Sequence, residues 1–301
     1  MSFANLKKNR SNELAKLTQE LGKINGSSER PSEDTRFWKP EVGKDGNGYA
    51  TIRFLPAAAG ENAPYVRLWE HAFQGPSGWY IEKSLTTFGE KDPCSEYNSQ
   101  LWATGTKANQ DQARKQRRKL VFIANIMVVT DKAHPENEGK NFLFKFGKKI
   151  FDKLAAAMDP EFEDEEPMNP FDMWDGANFK LKIRNEAGYR NYDKSEFDRR
   201  APISSDEDKM ESIYNSVYAL QPFLDRSQFK TYEQLHKRLY KVLGLDGSAA
   251  KPTTVAEDLP WDETPPVAAA RAPKAAAPKA APVADDDDDM EFFRRLGEGD
   301  E

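Results

Sequence analysis

A single cysteine, Cys94, in 301 residues excludes an intrachain disulfide and any metal site built from cysteines, and it fits a reducing compartment. Histidine is also scarce: His71, His134 and His236 lie far apart in sequence, and no H-E-x-x-H helix occurs. A glycine-rich phosphate loop and a G-x-S-x-G elbow are both missing, so no motif supports an enzyme. The acidic stretch 161–166 lacks the patterned glycine and spaced oxygens of a cation loop and reads as a solvated connection. No apolar run approaches the roughly 18 residues that cross a bilayer, and residues 1–10 hold no apolar signal core. The expectation is a soluble, cytoplasmic protein with no membrane partner.

What is present is charge, unevenly distributed. The formal net charge is -6, but residues 249–301 alone hold 6 Lys/Arg and 13 Asp/Glu, a net of -7, which leaves +1 for residues 1–248. Within that body, residues 107–153 carry 12 Lys/Arg against 5 Asp/Glu, a local net of +7. Phe122, Phe142, Phe144 and Phe146 are interleaved with these cations. Flat rings beside cations suit an unpaired nucleic-acid strand, whose bases stack on the rings while its phosphates meet the charges. The acidic run Asp285–Asp289 is the electrostatic opposite, a competitor for the same cations within one chain.

Four segments follow from composition and periodicity. Residues 1–30 form a basic arm, with Lys7, Lys8 and Arg10 ahead of a short helix over Arg10–Ile24 that is capped by Ser11 and striped by Leu14, Leu17 and Leu21. Such a helix is marginal alone and must dock on something. Residues 31–248 form the folded core, 249–283 an Ala/Pro linker, and 284–301 an acidic tail with a short apolar insert at Met290, Phe292, Phe293 and Leu296.

In the core, strands are predicted over Tyr49–Leu55, Trp79–Ile81, Leu120–Val129, Asn141–Phe146 and Asn178–Arg184. Leu120–Val129 is apolar, rich in β-branched residues and almost free of charge, and fits a strand covered on both faces. Asn178–Arg184 alternates, with Phe179, Leu181 and Ile183 on one face and Lys180, Lys182 and Arg184 on the other. A helix is predicted from Gly147 through Met158, another along Met210, Ile213, Val217 and Leu220, and a third behind a capping box of Thr231 and Gln234. Lys148 and Lys149 fall in a helix's first turn, where its dipole disfavours cations, so either a phosphate binds there or the lysines are simply solvated.

Three stretches, 117–122, 144–149 and 180–192, combine cations with aromatic residues in strands or their flanking turns. Arg117, Arg118 and Lys119 enter the longest strand, and Tyr189, Arg190 and Tyr192 close the third stretch. Any one of these groups alone is an ordinary solvated surface; their coincidence points to a strand-binding cleft.

The motifs IRFLP (52–56), HAFQGPSGWYIE (71–82), IANIMVV (123–129), HPENEGK (134–140), FGKKIFDK (146–153), WDGANFKLKI (174–183) and NYDKSEF (191–197) occur in this order. Across residues 5–245 the chain resembles the single-stranded DNA-binding proteins of T-even-type bacteriophages, the gene 32 protein family. The resemblance implies an α+β chain with an OB-fold-type β-barrel core, an additional small subdomain and packed C-terminal helices. A basic N-terminal arm for cooperative self-association and a disordered acidic C-terminal tail for partner proteins would flank that core.

By position, Arg117, Arg118 and Lys119 match the family's basic cluster, and Phe122, Phe144, Tyr189 and Tyr192 its cleft aromatics. Arg53 and Lys145 match further cationic positions, while Ile123 stands where the family has a ring. Lys7, Lys8, Arg10 and Ser11 resemble the arm motif for self-association, interrupted by Asn9. The family's structural zinc takes one His and three Cys, and the matching positions here are His71, Ser84, Cys94 and Tyr97. A hydroxyl and a phenol are poor zinc ligands beside thiolates. The expectation is therefore no zinc and no other cofactor, with Trp69, Phe73, Trp79, Phe88 or Trp102 supplying packing instead.

The functional expectation is a non-enzymatic, cooperative, largely sequence-independent binder of single-stranded DNA serving replication, recombination and repair in an infected bacterial cell. Its partners would be single-stranded DNA, further copies of itself and, through the tail, polymerase, helicase loader or primase. The same surfaces also suit single-stranded RNA, and a protein-recruiting scaffold acting through the tail is a second alternative.

Overall fold

The computed structural model describes residues 34–245, apart from 163, 187 and 188. The arm with Lys7, Lys8, Arg10 and Ser11, the helix expected over 10–24, the linker and the acidic tail lie outside the described residues. Every element named below belongs to the unit that begins at Phe37.

Among the described residues nine strands make a mixed, mostly antiparallel sheet: β1 (Phe37–Trp38), β2 (Gly48–Phe54), β3 (Tyr65–Gly75), β4 (Gly78–Lys83), β5 (Lys119–Thr130), β6 (Asn141–Gly147), β7 (Ala177–Glu186), β8 (Tyr189–Asn191) and β9 (Glu196–Arg200). Five α-helices accompany them among the described residues: α1 (Pro93–Ala103), α2 (Lys107–Gln116), α3 (Lys148–Met158), α4 (Glu207–Asn215) and α5 (Tyr232–Leu243). The strand order is β1-β6-β5-β2-β7-β8, with β3 joining β5 and β4, and β9 joining β7.

Strand β5 organises the sheet. Its first half pairs with β3, its second half with β2, and β6 runs along its other edge. All residues from Val121 to Val128 are buried. Because side chains alternate between faces, Phe122, Ala124, Ile126 and Val128 enter one core with Phe54, Phe146 and Phe179, while Val121 and Ile123 enter a second with Val66, Leu68, Leu143 and Leu220. A run so largely apolar is what a strand with two covered faces requires. Its one polar interruption, Asn125, is fully buried and makes two hydrogen bonds to the backbone of Tyr218, at 2.8 and 2.9 Å.

Those bonds explain a difference from expectation. The helix predicted to run to Leu220 ends at Asn215, where the Ser216 hydroxyl donates back to the Ile213 carbonyl at 2.9 Å. Leu220 is buried from the irregular stretch that Asn125 ties down, and the hydroxyl and the strand amide together compete with continued helix. The capping box of Thr231 and Gln234 is present, and α5 ends at Gly244 in the left-handed region.

A smaller core forms where β3 and β4 meet α1 and α5, around Phe73, Tyr80, Leu85, Cys94, Leu235 and Leu239. Asp92 caps α1 by accepting from the Cys94 and Ser95 amides at 3.1 and 3.0 Å, and Pro93 occupies the first helical position.

Candidate nucleic-acid interface

The end of α2 delivers Arg117, Arg118 and Lys119 to the head of β5. By strand alternation Arg118 shares a face with Leu120 and Phe122, and Trp69 stands opposite Leu120 in the β3–β5 ladder. Accordingly the Arg118 guanidinium lies over the Trp69 indole, 4.3 Å from its centroid, a cation–π stack. Lys119 faces the other way, opposite Glu70. Gly147 pairs with Val121, so α3 begins at this same end of the sheet, with Lys148 and Lys149 exposed in its first turn. Asp152, 3.1 Å from Lys148 one turn on, offsets the unfavourable helix dipole there.

The second cationic stretch lies on the ribbon of β7, β8 and β9. Lys180 and Lys182 occupy the face opposite buried Phe179, Leu181 and Ile183, as alternation predicts. Each meets an acid of the β9 strand: Lys180 with Asp198 at 3.0 Å and Lys182 with Glu196 at 2.7 Å. Arg184 is exposed, Tyr189 is 41% exposed, Arg190 is half-buried, and Tyr192 rests partly buried on the main core. Helix α3, about 16 Å long, connects the two regions. Its Phe151 stacks on Phe122 at 3.9 Å, and Lys153 donates to the Asp193 carbonyl beside Tyr192 at 3.0 Å.

Three of the residues matched to the family's cleft, Phe122, Phe144 and Arg53, are interior here, and a fourth, Lys145, is half-buried and paired. Phe122 and Phe144 are buried in the main core, because β5 and β6 are covered on both faces, and neither ring offers a face to a base. Arg53 is 1% exposed and donates to the Asp172 carbonyl at 2.7 Å, fixing the loop before β7. Lys145 grips both carboxylate oxygens of Glu70 at 2.8 and 2.6 Å. Burial pushes Lys145 below the ordinary lysine range, and Glu70 opposes that shift. Their partners are distant in sequence, so nothing local to Arg53 or Lys145 announces burial.

Sequence reasoning missed two residues at the interface. Arg67 and Trp69 share with Tyr65 one face of β3, while Val66 and Leu68 fill the core behind. The period-two pattern of Y-V-R-L-W was the available signal. Trp174, 63% exposed on the loop held by Arg53, is a further ring at the surface.

A family model described as "gp32 DNA binding protein like" matches residues 46–243. The single-stranded DNA-binding protein of Enterobacteria phage T4 is 37% identical over 259 residues, covering 81% of this chain and 85% of that protein. The chain belongs to the gp32-like DNA-binding family. Other similar proteins are the single-stranded DNA-binding proteins of Enterobacteria phage T2, 36% identical over 260 residues with the same two coverages, and of Escherichia phage SV14, 40% identical over 81 residues covering 27% of this chain and 72% of that one. Among the described residues no helix is long and apolar enough to cross a membrane.

The zinc that resemblance to gp32-like proteins implies does not fit the residues present. His71, Ser84 and Cys94 do converge, all buried, and Tyr97 packs on the adjoining apolar cluster. Their polar atoms meet neighbouring side chains and the backbone. His71 places Nδ1 2.8 Å from the Gln116 carbonyl and Nε2 3.2 Å from Asp92 Oδ1, an ion-pair distance. Cys94 Sγ donates to the same carbonyl at 3.8 Å and accepts from Asn98 Nδ2 at 3.8 Å, and Ser84 Oγ pairs with Thr86 Oγ1 at 2.9 Å. Among the described residues no three His, Cys, Asp or Glu side chains form a metal-binding group. Burial works against an imidazolium, yet the Asp92 carboxylate raises His71 above its ordinary value; burial works against the Asp92 carboxylate as well, yet His71 and the Ser95 amide hold it below the usual range. A buried His71–Asp92 pair at ion-pair distance, with hydrogen-bonded neighbours, thus stands where metal ligands would.

Proposed function

We propose that this protein binds single-stranded DNA cooperatively and largely without regard to sequence, as a non-enzymatic coat for unpaired strands during phage replication, recombination and repair. The observation that carries the reading is the head of β5. There Arg118, between Arg117 and Lys119 in sequence, stacks on Trp69, and Lys148 and Lys149 of α3 begin at the same end of the sheet, in a chain of the gp32-like family. A duplex hides its base faces, so rings beside cations favour the open strand. The DNA track runs from this head along α3 to Arg184, Tyr189, Arg190 and Tyr192. Lys180 and Lys182 contribute only when β9 releases them. An OB-fold-type barrel is the reading of the core that best accounts for one long strand, β5, shared by β2, β3 and β6 around a single aromatic interior.

The arm, through Lys7, Lys8, Arg10 and Ser11, would dock on the neighbouring copy along the strand, and the acidic tail would compete with DNA for the cations and recruit replication proteins. The small subdomain folds without zinc, on its His71–Asp92 hub. Metal analysis of purified protein should find no stoichiometric zinc, and a chelator should leave Tm unchanged; one zinc per chain rejects this part.

The deciding experiment is a fluorescence titration with single-stranded DNA, matched RNA and duplex at several salt concentrations. Salt-sensitive quenching by single-stranded DNA alone is expected. Equal binding of duplex would reduce the surface to a generic basic patch, and preference for RNA would reassign the ligand.

A further inference from the structure

We infer that the outer row of β3, Arg67 and Trp69 with Arg118 stacked above, is an additional single-strand contact in which the indole takes a base and Arg67 the adjoining phosphate. This rests on the reading of the protein as a single-strand binder and assigns to it residues that neither the basic cluster nor the ring positions of the family supply.

Three observations converge. First, alternation along β3 sends Val66 and Leu68 into the apolar core and turns Tyr65, Arg67 and Trp69 to the other side, where Phe122 and Leu120 of β5 lie opposite Arg67 and Trp69. Tyr65 is packed among Phe122, Phe151 and Phe171, but Arg67, two residues further, is exposed, so the row leaves the core at that point.

Second, Trp69 is half-buried and rigidly set. Its amide donates to Thr87 Oγ1 at 2.9 Å, its carbonyl accepts from the Ser84 amide at 2.8 Å, and Arg118 lies over its ring. A large ring on a fixed strand loses little freedom when a base stacks on it. The guanidinium above it is itself a flat π surface and a phosphate donor.

Third, Tyr65 at the start of the row lines an open groove of about 580 Å³ with Pro56, Pro64, Met158, Met168 and Phe171. Same-face residues on a strand are about 6.8 Å apart, a repeat comparable to that of successive nucleotides in an extended strand. The groove, Arg67 and Trp69 therefore form a linear track of apolar, cationic and aromatic stations.

The test compares full-length wild type, W69A, W69F and R67Q against one single-stranded oligonucleotide. W69A should weaken binding by roughly 5- to 150-fold, the span of one lost base stack, with the salt slope unchanged. R67Q should lower the salt slope by about 1, as loss of one phosphate contact does. W69F should retain most of the affinity while losing part of the fluorescence quenching. If W69A fails to fold, W69F and R67Q carry the test. Wild-type quenching in W69F together with a wild-type salt slope in R67Q overturns the inference, and so does a folded W69A with wild-type affinity. In either case discrimination of single strand from duplex by the wild type leaves the broader function standing; wild type that binds no single strand removes both.

Discussion

The head of β5 and the ribbon of β7, β8 and β9 carry the same sequence signature, cations interleaved with aromatic rings, and the fold uses the two in opposite ways. At the head of β5 the strand's own rings turn inward. Phe122 disappears under α3, and the ring left at the surface, Trp69, comes from a different strand. On the ribbon it is the lysines that are occupied, each facing a β9 carboxylate, while Tyr189 stays in solvent. Alternation thus decides which face a residue takes, but only tertiary pairing decides whether a ring or a charge remains available to a ligand.

The largest effect should come from treating two rings of the signature alike. Phe122→Ala removes a core side chain stacked on Phe151 and Phe146, and should cost about 3–5 kcal/mol of stability. Urea unfolding of the variant measures this directly. A stability within about 0.5 kcal/mol of wild type, accompanied by weakened DNA binding, would mean that Phe122 is a surface ring after all and that the contrast between the two regions is wrong.

The same contrast explains what could be read from the sequence. The apolar length of β5, the alternation of β7 and the capping box of α5 are local patterns, and each corresponds to an element at nearly the expected residues. Helices α1 and α2 escaped because they have no apolar stripe: α1 buries Pro93, Cys94 and Asn98, and α2 only Ala113 and Gln116. The Asp92-Pro93 pair, a cap followed by proline at the first helical position, was the signal that remained for α1. Arg53 and Lys145 were legible as cations but not as residues already paired within the fold, since their partners Asp172 and Glu70 are 119 and 75 positions away. Trp69 was visible only as a residue to pack a metal-free subdomain, because its neighbour Arg118 reaches it across a ladder that local reasoning does not supply.

A middle-sized effect separates the exposed ring from the buried one. Tyr189→Ala should leave stability within about 0.5 kcal/mol of wild type and weaken single-strand binding by about 1–3 kcal/mol. The salt slope should not change, because no cation is lost. Titrations at three salt concentrations give both quantities. Parallel losses of stability and affinity would place Tyr189 among packing residues and leave Arg118 and Trp69 as the principal contact.

The smallest effect concerns the paired lysines, and it can turn the ribbon into something closer to the head of β5. Lys180 and Lys182 hold Asp198 and Glu196 below the ordinary carboxylate range through direct hydrogen bonds. Lowering the pH would therefore release the lysines only below the ordinary carboxylate range, where other carboxylates titrate as well. Substitution avoids this: Asp198→Asn with Glu196→Gln removes both partners and keeps the shape. These are exposed pairs, so their loss should change stability little. Two cations no longer held by β9 should raise affinity for single strands by less than about tenfold and steepen the salt slope, most visibly below about 0.1 M salt, where screening is weak. An unchanged slope would mean that the DNA does not pass over the ribbon's cationic face, and the track would then end at Tyr189 and Tyr192.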